Sequence, residues 1–177
     1  MKKGIGLLIF LLFAVTVYSQ GLKFNSFSIS PFLGFYDNYS PEKRVGGFAC
    51  NADISFAKNK NIFSVYVSAG IEFKLNITIV APGGGETDRA EYDEINLLYG
   101  REFRITNWFK LETHAGLGRI HIKVYEPYRD YVSLGVPLRP KTLIYIGKHF
   151  SFGFNPNVNF SKDFTTSSFC IIFQYKL

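Results

Sequence analysis

The sequence predicts an all-β fold: an eight-stranded antiparallel up-and-down transmembrane β-barrel, preceded by a cleaved signal peptide. Three observations carry this. Residues 62 to 79, IFSVYVSAGIEFKLNITI, are apolar at every second position from Phe63 to Ile79. A period of two belongs to strands, and this run far exceeds the usual strand of about five or six residues. The same alternation recurs in seven further segments, which makes an even number. Finally, tight turns and longer polar loops alternate along the chain, with both termini at the short-turn end, as in a barrel crossing an outer membrane.

The elements follow in order. Lys2 and Lys3, the apolar run Ile5 to Val17 and the small residues of Val17-Tyr18-Ser19 form a secretory signal with cleavage before Gln20. The run is short for a membrane helix of about 20 residues. Residues 1–19 are thus assigned to the signal peptide and 20–177 to the barrel. The first strand, Phe24 to Tyr36, sets Phe27, Ile29, Leu33 and Phe35 against Ser26, Ser28 and Ser30. The second runs from Gly46 to Ala57, and the third is the 62 to 79 stretch. The fourth, Glu91 to Ile105, sets Ile95, Leu97, Tyr99, Phe103 and Ile105 against Glu94, Asn96 and Glu102. The fifth, Trp108 to Val124, starts on Phe109, Leu111, Ala115 and Leu117 and changes phase to Ile120, Ile122 and Val124. That slip predicts a β-bulge at Gly116-Leu117-Gly118. The sixth runs from Tyr131 to Ile146, the seventh from Phe150 to Phe160 and the eighth from Ser167 to Leu177. Lys58–Asn61, Thr106–Asn107 and Gly147–His149 read as tight turns. Asn38–Arg44, Ala81–Ala90, Tyr125–Asp130 and Ser161–Thr166 read as longer loops.

Charge excludes some functions. The chain carries +6, and loss of Lys2 and Lys3 lowers this to +4. No dense Lys/Arg cluster remains, so nucleic acid is not an expected partner. Cys50 and Cys170 fall on opposite faces of their strands, which places disulfide geometry out of reach and predicts two free thiols.

The C-terminal SSFCIIFQYKL and the segment YVSLGVPLRP resemble the small eight-stranded outer-membrane barrels of OmpA/OmpX type, especially the outer membrane protein β-barrel domain and PorT-like group. Leu177 ends the chain where an aromatic is more usual. The resemblance implies localisation in the outer membrane, recognition of the terminal strand by the barrel-assembly machinery, and an accessory role in secretion.

A narrow eight-stranded interior holds side chains and little else, so the crowded Phe, Leu and Ile face is expected to meet lipid. The polar face then fills the lumen through a network of Asp53, Glu72, Lys74, Glu94, Glu102, Lys110, Glu112 and Arg139. Phe24, Trp108, Phe109 and Tyr175 at one end, with Phe35, Tyr125 and Tyr131 at the other, are girdle candidates. Arg101 points to lipid by parity and lies close enough to the short-turn end to snorkel. Tyr125, Tyr128, Arg129 and Tyr131 form the candidate recognition loop, since Tyr and Arg dominate interface hot spots.

Other motifs carry less. Ala81 to Gly85 lacks the Gly-Lys-Ser/Thr ending and following helix of a phosphate loop. His114 and His121 lack a third metal ligand. Glu112 and His114 share a strand face, an arrangement compatible with acid/base chemistry. The expectation is a monomeric, non-catalytic barrel without a cofactor, surrounded by outer-membrane lipid and lipopolysaccharide, with a structural or envelope-interaction role. A lipid-modifying enzyme and an exported soluble lipid-binding barrel are the alternatives.

Overall fold

The computed structural model describes residues 21–39, 45–72, 90–125 and 128–177; the expected signal peptide, Lys74 and the 81–85 loop lie outside them. Eight strands follow one another: β1 (Lys23–Tyr39), β2 (Val45–Lys58), β3 (Asn61–Glu72), β4 (Ala90–Arg104), β5 (Phe109–Tyr125), β6 (Tyr128–Ile146), β7 (Phe150–Ser161) and β8 (Thr165–Lys176). Each pairs antiparallel with its neighbours, and β8 closes on β1. Closure removes both sheet edges, so the backbone within the wall is largely satisfied by neighbouring strands.

The turns explain the tight end. Asn59 adopts a φ of 59°, which asparagine tolerates better than most residues, and closes β2 on β3. Thr106 Oγ1 accepts hydrogen bonds from the Trp108 and Phe109 amides at 3.3 and 2.9 Å and turns β4 into β5. Gly147, with φ 74°, begins the third such turn. The Leu177 amide donates to the Asn25 carbonyl, which brings the two ends of the described chain together at this rim.

The wall is apolar outside and polar inside. Leu117 is 72% exposed and Leu134 78%, whereas Arg139 is 1% and Lys141 0% exposed. Along β3, Phe63, Val65 and Val67 face out while Ser64, Tyr66 and Ser68 are buried. In water such a surface would be a very large apolar patch; in hydrocarbon it is the stable arrangement.

Three expectations are corrected. The bulge predicted at Gly116-Leu117-Gly118 is absent: β4 and β5 pair without interruption from Ala90↔Val124 to Arg104↔Lys110. The pairs Ala115↔Leu138 and Gly118↔Gly135 likewise keep one register between β5 and β6. The glycines instead permit close approach, since a Cβ on Gly116 would collide with the Leu97 carbonyl oxygen and one on Gly118 with Asn96 Oδ1. Second, the irregularities fall in β1, between Phe24 and Ser26 and between Ser30 and Gly34. Third, two of the expected long loops are short. β5 and β6 pair as far as Tyr125↔Tyr128, and Ser161 and Phe164 bond to each other to close the β7–β8 turn.

Without a bulge, β5 keeps one parity throughout, and Ile120, Ile122 and Val124 turn inward. They join Tyr36, Ala49, Ala90, Tyr92 and Phe164 in an apolar cluster under the long-loop end. The polarity of the wall therefore inverts near this end, with apolar side chains inside and Asp93, Arg119 and His121 outside. The physical cause is the change of surroundings from lipid to water along one strand.

Candidate functional site

Among the described residues, the buried polar side chains of the lumen group into three layers, stacked from the short-turn rim upward. In the lowest, Glu102 on β4 accepts from Lys176 on β8 at 2.7 Å and from Lys110 on β5 at 3.3 Å. The Lys110 ammonium also sits 4.5 Å from the centre of the Tyr145 ring. Three strands are tied together here by one carboxylate.

The middle layer is fully enclosed. Asp53 on β2 accepts from Arg139 Nη2 and Lys141 Nζ on β6, each at 3.0 Å. Lys141 donates to Ser28 on β1 at 3.3 Å, and Arg139 to Ser64 on β3 at 3.3 Å. Arg139 stacks over Tyr66 at 4.7 Å. Glu112 lies 3.7 Å from Lys141 and 3.8 Å from His114. Two carboxylates thus oppose an arginine and a lysine, and charge compensation is what permits such groups to be buried.

In the upper layer Glu94 is held by neutral donors. Tyr92 Oη and Asn96 Nδ2 donate to it from β4 itself. Asn157 Nδ2 donates to both oxygens at 3.2 Å and Asn159 Nδ2 at 2.8 Å from β7, across the lumen. Above this layer Tyr36 and Tyr92 stack at 4.8 Å.

The structure brings most of the expected lumen residues inward but separates them into layers. Asp53, Glu112 and Arg139 share the middle; Glu102 and Lys110 share the bottom; Glu94 centres the upper layer. Glu72 is half-buried at the mouth, lining an open depression with Tyr36 and Asn157. Lys141, Tyr66, Asn157, Asn159 and Lys176 are not singled out by the sequence pattern, although Lys141 shares a face with Arg139 two residues earlier. Cys50 faces out and Cys170 in, both as free thiols.

His114 and His121 end on opposite faces of β5, a consequence of the missing bulge, so they share no metal site. Among the described residues no group of three or more His, Cys, Asp or Glu is placed to hold a metal. Glu112 and His114 do share the inner face, but both side chains are fully buried beside Lys141.

The four residues of the candidate recognition loop do not all face the same way. Tyr131 points inward and packs against the apolar cluster, while Tyr125 and Tyr128 are exposed and Arg129 Nη1 donates to Tyr131 Oη at 3.1 Å. A second outer cluster is hidden in the sequence because a bulge at Gly116-Leu117-Gly118 would give these residues the wrong face. His121 lies 2.7 Å from both Asp93 on β4 and Asp130 on β6. Arg119 lies 3.6 Å from Asp93. Aromatic pairs ring the lower wall: Phe24–Phe56, Phe63–Tyr99 and Phe150–Tyr175 have centroids 5.8, 5.3 and 5.0 Å apart. Trp108 stands beside Phe109 at the same end.

An apolar exterior, buried polar layers within and eight closed antiparallel strands define the class of fold: that of the small outer-membrane β-barrels. Solved structures share it. Neisserial surface protein A superposes with a TM-score of 0.65 at 15% identity, covering 87% of this chain and 97% of that one. The attachment invasion locus protein Ail of Yersinia pestis, in complex with the heparin analogue sucrose octasulfate, gives 0.57 at 12% identity, covering 88% and 99%. A major outer membrane protein from Thermus thermophilus gives 0.55 at 9% identity, covering 86% and 99%. No family model matches the chain, and no curated protein sequence matches it. At these identities the likeness is one of fold.

Proposed function

We propose that the chain is an integral outer-membrane barrel whose lumen is closed to solutes by its own side chains, and that it acts through its outer rim in a structural or envelope-interaction role. The observation that carries this is the polarity of the wall: exposed Phe, Leu, Ile and Val surround a buried Asp53–Arg139–Lys141 layer. A fold of this kind needs lipid around it and gains nothing from water inside it.

Among the described residues, the outer rim supplies the chemistry that a partner reaches from outside: exposed Tyr125 and Tyr128, and the Asp93–His121–Asp130 bridge with Arg119 beside it. Its mixed signs disfavour extending polyanion binding to this chain by analogy with the Ail complex. Glu112 and His114 serve as lumen filling in this account. Alanine at both positions is expected to leave lipid A composition unchanged, and a changed composition would favour the enzymatic alternative.

Two measurements test the proposal. The mature protein should sediment with outer membranes, require detergent for extraction, and run faster on gels before boiling than after. Reconstituted into a planar bilayer, it should give no stepwise conductance. Recovery as a soluble periplasmic protein would refute membrane integration, and steady channels would refute the closed lumen.

A further inference from the structure

We propose that the barrel wall opens laterally at the β6–β7 seam, around Pro140 and Pro156, and that this seam joins the Arg139–Lys141 layer of the lumen directly to the bilayer. The argument starts from which way each backbone amide points. The Tyr145 amide donates to the Trp108 carbonyl, and the Lys176 amide donates to the His149 carbonyl. In an antiparallel pair the two groups of one residue point to the same neighbour, and successive residues alternate. Odd-numbered residues of β6 therefore face β5, and odd-numbered residues of β7 face β8. Even-numbered residues of β6 and β7 face each other.

Pro140 and Pro156 are both even. The register set by Leu138↔Val158 and Thr142↔Phe154 places them opposite one another. This is a position at which two N–H···O bonds would form, and proline has no N–H to donate from either side. The ladder stops at Leu138↔Val158 and resumes at Thr142↔Phe154. About 13 Å of seam, four steps of about 3.3 Å, runs without ladder bonds. By contrast, the β2–β3, β3–β4 and β4–β5 ladders run unbroken.

The neighbouring features fit an opening that is confined in place. Below the break, Thr142 Oγ1 donates to the Phe154 carbonyl at 3.3 Å and accepts from the Phe154 amide at 3.2 Å. A Cβ on Gly153 would collide with the Thr142 carbonyl oxygen, so β7 is drawn tightly against β6 at this height. On the other side of β6, Pro137 is odd and so lacks the N–H that would reach β5. The β5–β6 ladder skips the positions between Ala115↔Leu138 and Gly118↔Gly135. The middle of β6 is thus held less firmly than its ends on both sides. Directly behind it lie the inward-facing Arg139, Lys141, Asn155 and Asn157. The Pro140 and Pro156 carbonyls lose their ladder donors at a depth where water is absent, which weakens the closed state further.

Hydrogen exchange on the full mature chain in lipid nanodiscs tests this without relying on a variant. The amides of Leu138, Thr142, Phe154 and Val158 should exchange about tenfold or more faster than those of Val65 and Val67 in the unbroken β3 ladders, the effect expected from two missing bonds. Restoring both donors with Pro140→Ala and Pro156→Ala should slow them by a similar factor. A second readout asks whether the seam reaches the lumen. In a Cys50→Ser, Cys170→Ser background, Asn155→Cys, buried beside Pro156 and away from the open mouth, should react with a bilayer-soluble maleimide at least several-fold faster than Ser64→Cys, which lies behind unbroken ladders. Equal exchange at the two seams, no slowing on restoring the donors, or equal labelling of the two lumen cysteines would each overturn the proposal.

Discussion

Asp53 sets a β2 carboxylate against two β6 side chains, Arg139 and Lys141, and its removal leaves both enclosed with too little negative charge nearby. Asp53→Ala is therefore expected to destabilise the folded barrel by about 3–5 kcal/mol, measured by urea unfolding in lipid vesicles. Glu102→Ala breaks a bridge at the rim, where its side chain and those of Lys110 and Lys176 keep 14–22% exposure; the expected loss is about 0–1 kcal/mol. Equal losses at the two positions would contradict the layered description. Strand parity makes the inward face of Asp53, Glu94, Glu112 and Arg139 legible in the sequence. Parity does not give height, nor which strands stand across the lumen. The pairing of Glu94 with Asn157 and Asn159 depends on closing β8 onto β1, information no single segment carries. Lys141 follows Pro140 directly, and a proline in a strand masks the local alternation that would mark its neighbour as inward.

The strand β5 holds the main lesson at the next scale. Its apolar residues change phase between Leu117 and Ile120, and a slip in hydrophobic phase has two physical causes. One is a change in the backbone, a bulge; the other is a change in the surroundings of a regular backbone. The unbroken β4–β5 register selects the second. The eight strands, their order and the tight turns are readable because each rests on local alternation or turn chemistry. The passage of a strand out of lipid is not, since alternation alone does not reveal which face meets which medium. The inversion makes a depth-dependent prediction. Leu97→Arg, on the outward face amid the apolar band, should cost about 2–4 kcal/mol, whereas a charge placed outward above the inversion, His121→Arg, should cost about 0–1 kcal/mol. Vesicle unfolding of the two variants provides the comparison. A larger loss at His121 than at Leu97 would show the boundary to be misplaced.

For the whole molecule, the two surfaces have opposite tasks. The outer wall supplies apolar area to the bilayer, and inside it Asp53 and Glu112 offset the charges of Arg139 and Lys141. Both tasks follow from the same period of two, which sends successive residues of each strand to opposite environments. The most direct test of this claim is a spin-label scan along β3 from Phe63 to Ser68, in a cysteine-free background and reconstituted into lipid. Labels at Phe63, Val65 and Val67 should collide readily with oxygen dissolved in the bilayer. Labels at Ser64, Tyr66 and Ser68 should be shielded from oxygen and from a water-soluble nickel complex alike. The reverse pattern, with odd positions shielded and even positions reached from water, would contradict the account.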